Sequence, residues 1–175
     1  EIHERLVGSE MCIRDRYKYV LLKDAEVIVV SHYGNYEGAE ADHALLAILE
    51  RMSITEKNRF RAVVHDYSRV SAMTLNDTDM SRVESFRKKL ARHFGCNEIS
   101  AFRSKIARYI VRPIRPDILA IHLERVTRVH KHHDPDFNYI ISGSLSSALQ
   151  AREINELPND EEWLRPNPAN KDSEL

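Results

Sequence analysis

The sequence predicts an α/β domain with the element order ββαβαβαβα and a mixed, mostly parallel sheet covered by helices. Three observations predict it. Short runs of β-branched and aliphatic residues recur between residues 20 and 142. Between them lie segments whose apolar residues repeat at helical spacing. The first two runs are separated only by a turn around Lys23 and Asp24, and a hairpin there would make the sheet mixed.

Residues 20–22 and 27–30 are the two opening strands. In YEGAEADHALLAILERM the apolar residues Ala41, Ala44, Leu45, Ile48, Leu49 and Met52 form one broad helical face. FRAVVHD is the third strand, and its unbroken Ala62-Val63-Val64 run is that of a strand covered on both faces. A turn over DYSRVSAMTLNDTDM then opens the second helix, in which Met80, Val83, Phe86, Leu90 and Phe94 form the buried stripe. Arg87, Lys88 and Arg92 are expected on its other faces, and Gly95 is placed to end it in a left-handed conformation. KIARYIVRPIRP is a fourth strand running into a proline-bounded turn. DILAIHLERVTRVHKHH is the third helix, with Asp117 at its N-terminus and basic residues in its last turns. DFNYIIS is a short fifth strand, and Ser144 caps the final helix, LSSALQAREI.

The predicted domain spans residues 17–157. Residues 158–175, rich in Pro, Asn and acid, are expected to be a disordered acidic tail. VGSEMCIRDR, residues 7–16, resembles translated sequencing-adapter DNA of the kind found in metagenomic assemblies, so residues 1–16 are set aside as a non-native or disordered leader. That removes three of 26 basic and four of 27 acidic residues and leaves the remainder formally neutral. Only Cys96 then remains, which allows neither an internal disulfide nor a cysteine zinc site and fits a reducing cytoplasm. No apolar run has the length of a membrane span. Residues 82–133 carry thirteen Lys or Arg against four Asp or Glu. Without interleaved aromatic residues for base stacking, these read as solvated helix faces and not as a nucleic-acid surface.

Two stretches, with the element order, carry a family resemblance over residues 17–153. DYSRVSAMT has Asp66, an apolar residue, Ser68, a variable residue and Val70, with Met73 before a loop. YIISGSLSSALQ pairs a last strand with a short Ser-Leu-x-x-Ala-Leu helix. In these the chain resembles the SpoIIAA-like, or STAS, family of bacterial domains. The resemblance implies a single SpoIIAA-like α/β domain that is not an enzyme, needs no cofactor, and acts as a regulatory module binding a protein partner as a monomer or weak dimer. The family's phosphorylation loop reads Asp-Ser-Ser-Gly-Leu. Here the matching stretch is Thr74-Leu75-Asn76-Asp77-Thr78, with Leu75 at the serine position and no glycine. The implied module therefore lacks the usual phosphoserine. Asn76 or Asp77 would instead cap the following helix, and Asp77 and Asp79 would repel a phosphate there.

Ser71, Thr74, Asn76, Asp77 and Thr78 are thus the candidate partner-binding loop. His32, Asp66 and Arg112 follow or end strands and form a candidate ligand crevice, since parallel sheets gather ligands outside their C-terminal strand edges. If they converge, they could do acid–base chemistry as a hydrolase or transferase. A small apolar, lipid-like ligand under the helices is the other alternative. His130, His133 and Asp134 have spacing that could hold a metal but is nonspecific, and no metal is assigned. Trp163, in EEWLRP, reads either as a docking motif or as packing on the domain surface.

Overall fold

The five-stranded sheet of the computed structural model has the order β1-β2-β3-β4-β5, with β1 antiparallel to β2 and every other neighbour parallel. The structure describes residues 16–75, 82–132 and 139–166, with the backbone alone at 130–132. Its elements are β1 (Tyr17–Leu22), β2 (Val27–Glu37), α1 (Glu40–Glu50), α2 (Ile54–Arg59), β3 (Ala62–Thr74), α3 (Val83–His93), α4 (Ile99–Lys105), β4 (Ala107–Val111), α5 (Pro116–His132), β5 (Tyr139–Ser142) and α6 (Leu145–Gln150), followed by a 3-10 turn (Asp160–Glu162). This is the predicted ββαβαβαβα order with two short helices inserted, α2 and α4.

Local chemistry accounts for several of the boundaries. Ser53 and Glu56 form a reciprocal capping box at the head of α2: Ser53 Oγ accepts from the Glu56 amide at 3.2 Å, and Glu56 Oε2 accepts from the Ser53 amide at 2.9 Å. Gly95, at φ 71°, ends α3, and the amides of Gly95 and Cys96 return to the carbonyls of Arg92 and Ala91. Ser144 Oγ accepts from the Ser147 amide at the start of α6.

Alternation along the strands divides the sheet cleanly. Ile28 and Val30 of β2 and Val63 of β3 face α1, α3 and α4, whose Leu45, Leu49, Leu90 and Phe102, with Phe94 just past α3, complete the larger core. Val27, Val29, Ala62, Val64, Tyr109 and Val111 face the other way, onto Ala148 and Leu149 of α6. The Ala62-Val63-Val64 run is therefore covered on both faces, as its composition predicts.

Two expectations are corrected. Residues 66–74 were expected to turn, yet β3 runs through them to Thr74. Beyond β1 and β4, residues 33–37 of β2 pair with 69–74 of β3 as a two-stranded ribbon, with register shifts between Ser31 and Tyr33 and between Gly34 and Asn35. The polar residues of DYSRVSAMT thus find ladder partners, and the shifts re-aim the strands. The tail is the second correction over residues 158–166. Asn159 caps the 3-10 turn, Leu164 exchanges two backbone hydrogen bonds with Tyr19, and Trp163 packs against the second core cluster with Lys18 Nζ 4.4 Å from its ring centroid. The physical reason is coverage. The short α6 leaves part of the valine face open to water, and this segment closes it and also blocks the outer edge of β1.

Candidate functional site

Four ionised side chains from four elements meet beneath the sheet face that carries α1 and α3. Asp42 lies on α1, Arg87 on α3, Arg108 on β4 and Arg125 on α5, and all are at least nine-tenths buried. Each occupies a position that helical or strand periodicity assigns to the core. Asp42 heads the stripe of Leu45, Leu46 and Leu49. Arg87 lies four residues after Val83 and three before Leu90. Arg125 completes the series Ile118, His122, Arg125, Val129. The expectation that Arg87 points away, and that the basic middle of the chain is wholly solvated, is therefore corrected for Arg87, Arg108 and Arg125.

These side chains line one cavity together with His65, Tyr67, Ile110 and Tyr139. Arg108 Nη2 donates to Asp42 Oδ1 at 3.2 Å and to His65 Nε2 at 3.1 Å. Arg87 Nη2 donates to the Tyr139 hydroxyl. Arg125 has its guanidinium carbon 5.4 Å from the Tyr36 ring centroid, a cation–π contact, and its Nε is buried with no hydrogen-bond partner among the described residues. Burial favours a neutral Asp42, but the charges of Arg87, Arg108 and Arg125 outweigh it and hold the carboxyl below its usual range.

The network fixes the state of the histidines. A guanidinium can only donate, so His65 Nε2 accepts and its proton sits on Nδ1. That proton points to His32 Nε2, 3.2 Å away, so His32 carries its own proton on Nδ1. Burial, and then Arg108, push His65 well below the ordinary histidine range. Burial, and then Arg125, lower His32 to about 3. His32 stacks on Tyr67, 5.0 Å between centroids, and Tyr67 lies against His122, 4.8 Å away. His122 is fully buried with neither ring nitrogen hydrogen-bonded among the described residues, and burial followed by Arg125 lowers it to about 4.

The crevice residues named from sequence do not come together. His32 faces the helices, whereas Asp66 faces the opposite side of the sheet, accepting from Ser31 Oγ at 3.3 Å and from the Ser68 amide at 2.9 Å. Arg112 is exposed past the end of β4, its amide bonded to the Ser142 carbonyl. An acid–base site built on His32, Asp66 and Arg112 thus loses its geometry. Of the loop residues, Ser71 and Thr74 are exposed on the ribbon, and Arg115 Nη1 donates to the Ser71 carbonyl at 2.9 Å. Asn76, Asp77 and Thr78 lie outside the described residues, as do the side chain of His130, His133 and Asp134. Among the described residues no group of three His, Cys, Asp or Glu could hold a metal ion, and no helix is long and apolar enough to cross a membrane.

No family model and no curated protein matches the chain. Among solved structures it is similar to that of the anti-sigma factor antagonist SpoIIAA in its unphosphorylated form, with a TM-score of 0.44 and 11% identity, covering 78% of this chain and 96% of that one.

Proposed function

We propose that the chain is a non-catalytic binding module whose responsive centre is the arginine cavity, and that the cavity takes an anionic group. Arg125 carries this reading. A buried guanidinium Nε with no hydrogen-bond partner among the described residues is costly, and an anion beside it would supply both the acceptor and the opposite charge. Arg87 and Arg108 line the same space and add to the positive potential.

The state of the neighbouring groups favours binding over catalysis. A general acid or base works best when its pKa lies near the operating pH. His32 and His65 are held neutral far below that range, Asp42 is committed to Arg108, and burial raises the Tyr67 hydroxyl well above its usual value. A charged lining also suits an apolar ligand poorly.

The position of α5 supports a regulatory role. Its Ile118, Ile121 and Val126 pack on Tyr36, Tyr67, Val70 and Met73, so the helix that carries Arg125 also supports the ribbon that exposes Ser71 and Thr74. An anion that fixes Arg125 would steady the ribbon, where a protein partner would dock.

Thermal unfolding in chloride, sulfate, phosphate and gluconate salts at one ionic strength tests the anion site. At least one salt should raise the midpoint above that in gluconate for the parent chain and not for Arg125→Met. Equal midpoints in all four would sink the reading. Hydrogen exchange at residues 33–37 and 69–74 tests the link to the ribbon, because the stabilising salt should slow it.

A further inference from the structure

We infer that the occupant of the arginine cavity is a single-atom anion of chloride's class, held between Arg125, Arg87 and Arg108. This rests on the reading of the cavity as an anion site and names the chemistry that the site selects.

Size is the first argument. The space between the side chains admits about one water-sized group. A phosphate or sulfate carries four oxygens around a central atom and would need α1, α3 or α5 to move outward. A halide needs only the position that one water could take.

Charge is the second. Asp42 lines the same cavity, and its carboxylate is ionised. A dianion would meet about twice the repulsion from Asp42 that a monoanion meets, but also about twice the attraction of the three guanidiniums, so charge admits an anion here and size selects among anions. One negative charge satisfies Arg125 and leaves the Asp42–Arg108 pair undisturbed.

The third argument is the remainder of the lining. Ala41, Ile110, Val126 and Val129 supply apolar walls and no further donors. An oxyanion would leave oxygens against these walls without hydrogen bonds. A large, weakly hydrated halide has no such directional demand and can rest against hydrocarbon on one side while guanidinium N–H groups approach from the other. Fluoride, which holds its water more strongly, fits less well.

Two measurements test this. Crystals of the full chain soaked in bromide should show an anomalous peak in the cavity beside Arg125. Peaks confined to the molecular surface would overturn the inference. In solution, chloride and bromide should raise the unfolding midpoint over gluconate at constant ionic strength. The rise is about 5–10 °C once the halide stands about 100-fold above its dissociation constant. Fluoride, sulfate and phosphate should give at most a small fraction of that shift. Arg125→Met should abolish the halide effect. If that variant fails to fold, Arg125→Lys should weaken the effect at least several-fold, because the planar fork of donors is lost. An Arg125-dependent rise with sulfate or phosphate, and none with halides, would refute the single-atom class and leave the anion-binding module standing. No rise with any anion would refute both.

Discussion

Asp42→Asn is the sharpest perturbation of the buried network, because it removes one charge and almost no volume. The carboxylate pairs with Arg108 at 3.2 Å, with both side chains at most 4% exposed. Its removal leaves Arg108, Arg87 and Arg125 around one cavity with no carboxylate among its described lining residues. Taking one partner from a buried ion pair costs about 3–5 kcal/mol, mostly the penalty of the charge left behind. A domain of this size has about 5–15 kcal/mol in all, so the variant should lose about a fifth or more of its stability. The midpoint should fall by about 6–20 °C. Urea unfolding followed by the fluorescence of Trp163, the one tryptophan of the chain, measures this directly. Trp163 packs against the opposite core and reports on the whole sheet. A bound anion can also replace part of the missing charge, so chloride should stabilise Asp42→Asn more than it stabilises the parent chain. A loss below about 1 kcal/mol would refute the premise that the four charges share a desolvated site, since exposed pairs give values of that size.

Three further outcomes are expected. Acid should unfold the chain early. In the unfolded state His32, His65 and His122 take a proton near pH 6.5, whereas in the fold burial keeps them neutral to about 3 and about 4 for His32 and His122 and to well below 6.5 for His65. The unfolded state therefore binds more protons in this window, and stability falls as pH drops below 6.5, by up to about 1.4 kcal/mol per pH unit for each histidine. Urea midpoints between pH 7 and pH 4 would show the slope, and His122→Gln should reduce it by about one third. Trp163→Ala should cost about 1–2 kcal/mol in urea unfolding by circular dichroism, and no loss would mean that the C-terminal segment does not cover the valine face. Gly95→Ala should cost about 1–2 kcal/mol in the same assay, because φ 71° is strained for any residue with a Cβ even though the nearest atom, Asn58 Oδ1, stands 3.8 Å away.

Periodicity made the frame of the fold legible, and the same habit of reading hid the site. Strands and long helices announce themselves through spacing, and Leu45, Leu49, Leu90 and Phe94 are buried where spacing puts them. The ribbon was not legible, since its hydroxyls and charges resemble a turn until Tyr33–Glu37 is known to pair with Arg69–Thr74. The C-terminal segment is illegible for a similar reason. Asn159, Glu162, Trp163 and Leu164 each make specific contacts, and no period links them. The arginine cavity failed differently. Arginine is rarely fully buried, so residue type alone places the basic residues of 82–133 in solvent. The available signal was positional: Arg125 is in step with Ile118, His122 and Val129, and Arg87 with Val83 and Leu90. Asp42 repeats the pattern at the head of the α1 stripe. One such charge invites a local explanation. Three on separate helices, with Arg108 in an otherwise apolar strand, call for a shared partner, because each would otherwise be buried at a cost of several kcal/mol. Asp42 answers for one positive charge, and the anion inferred beside Arg125 answers for another.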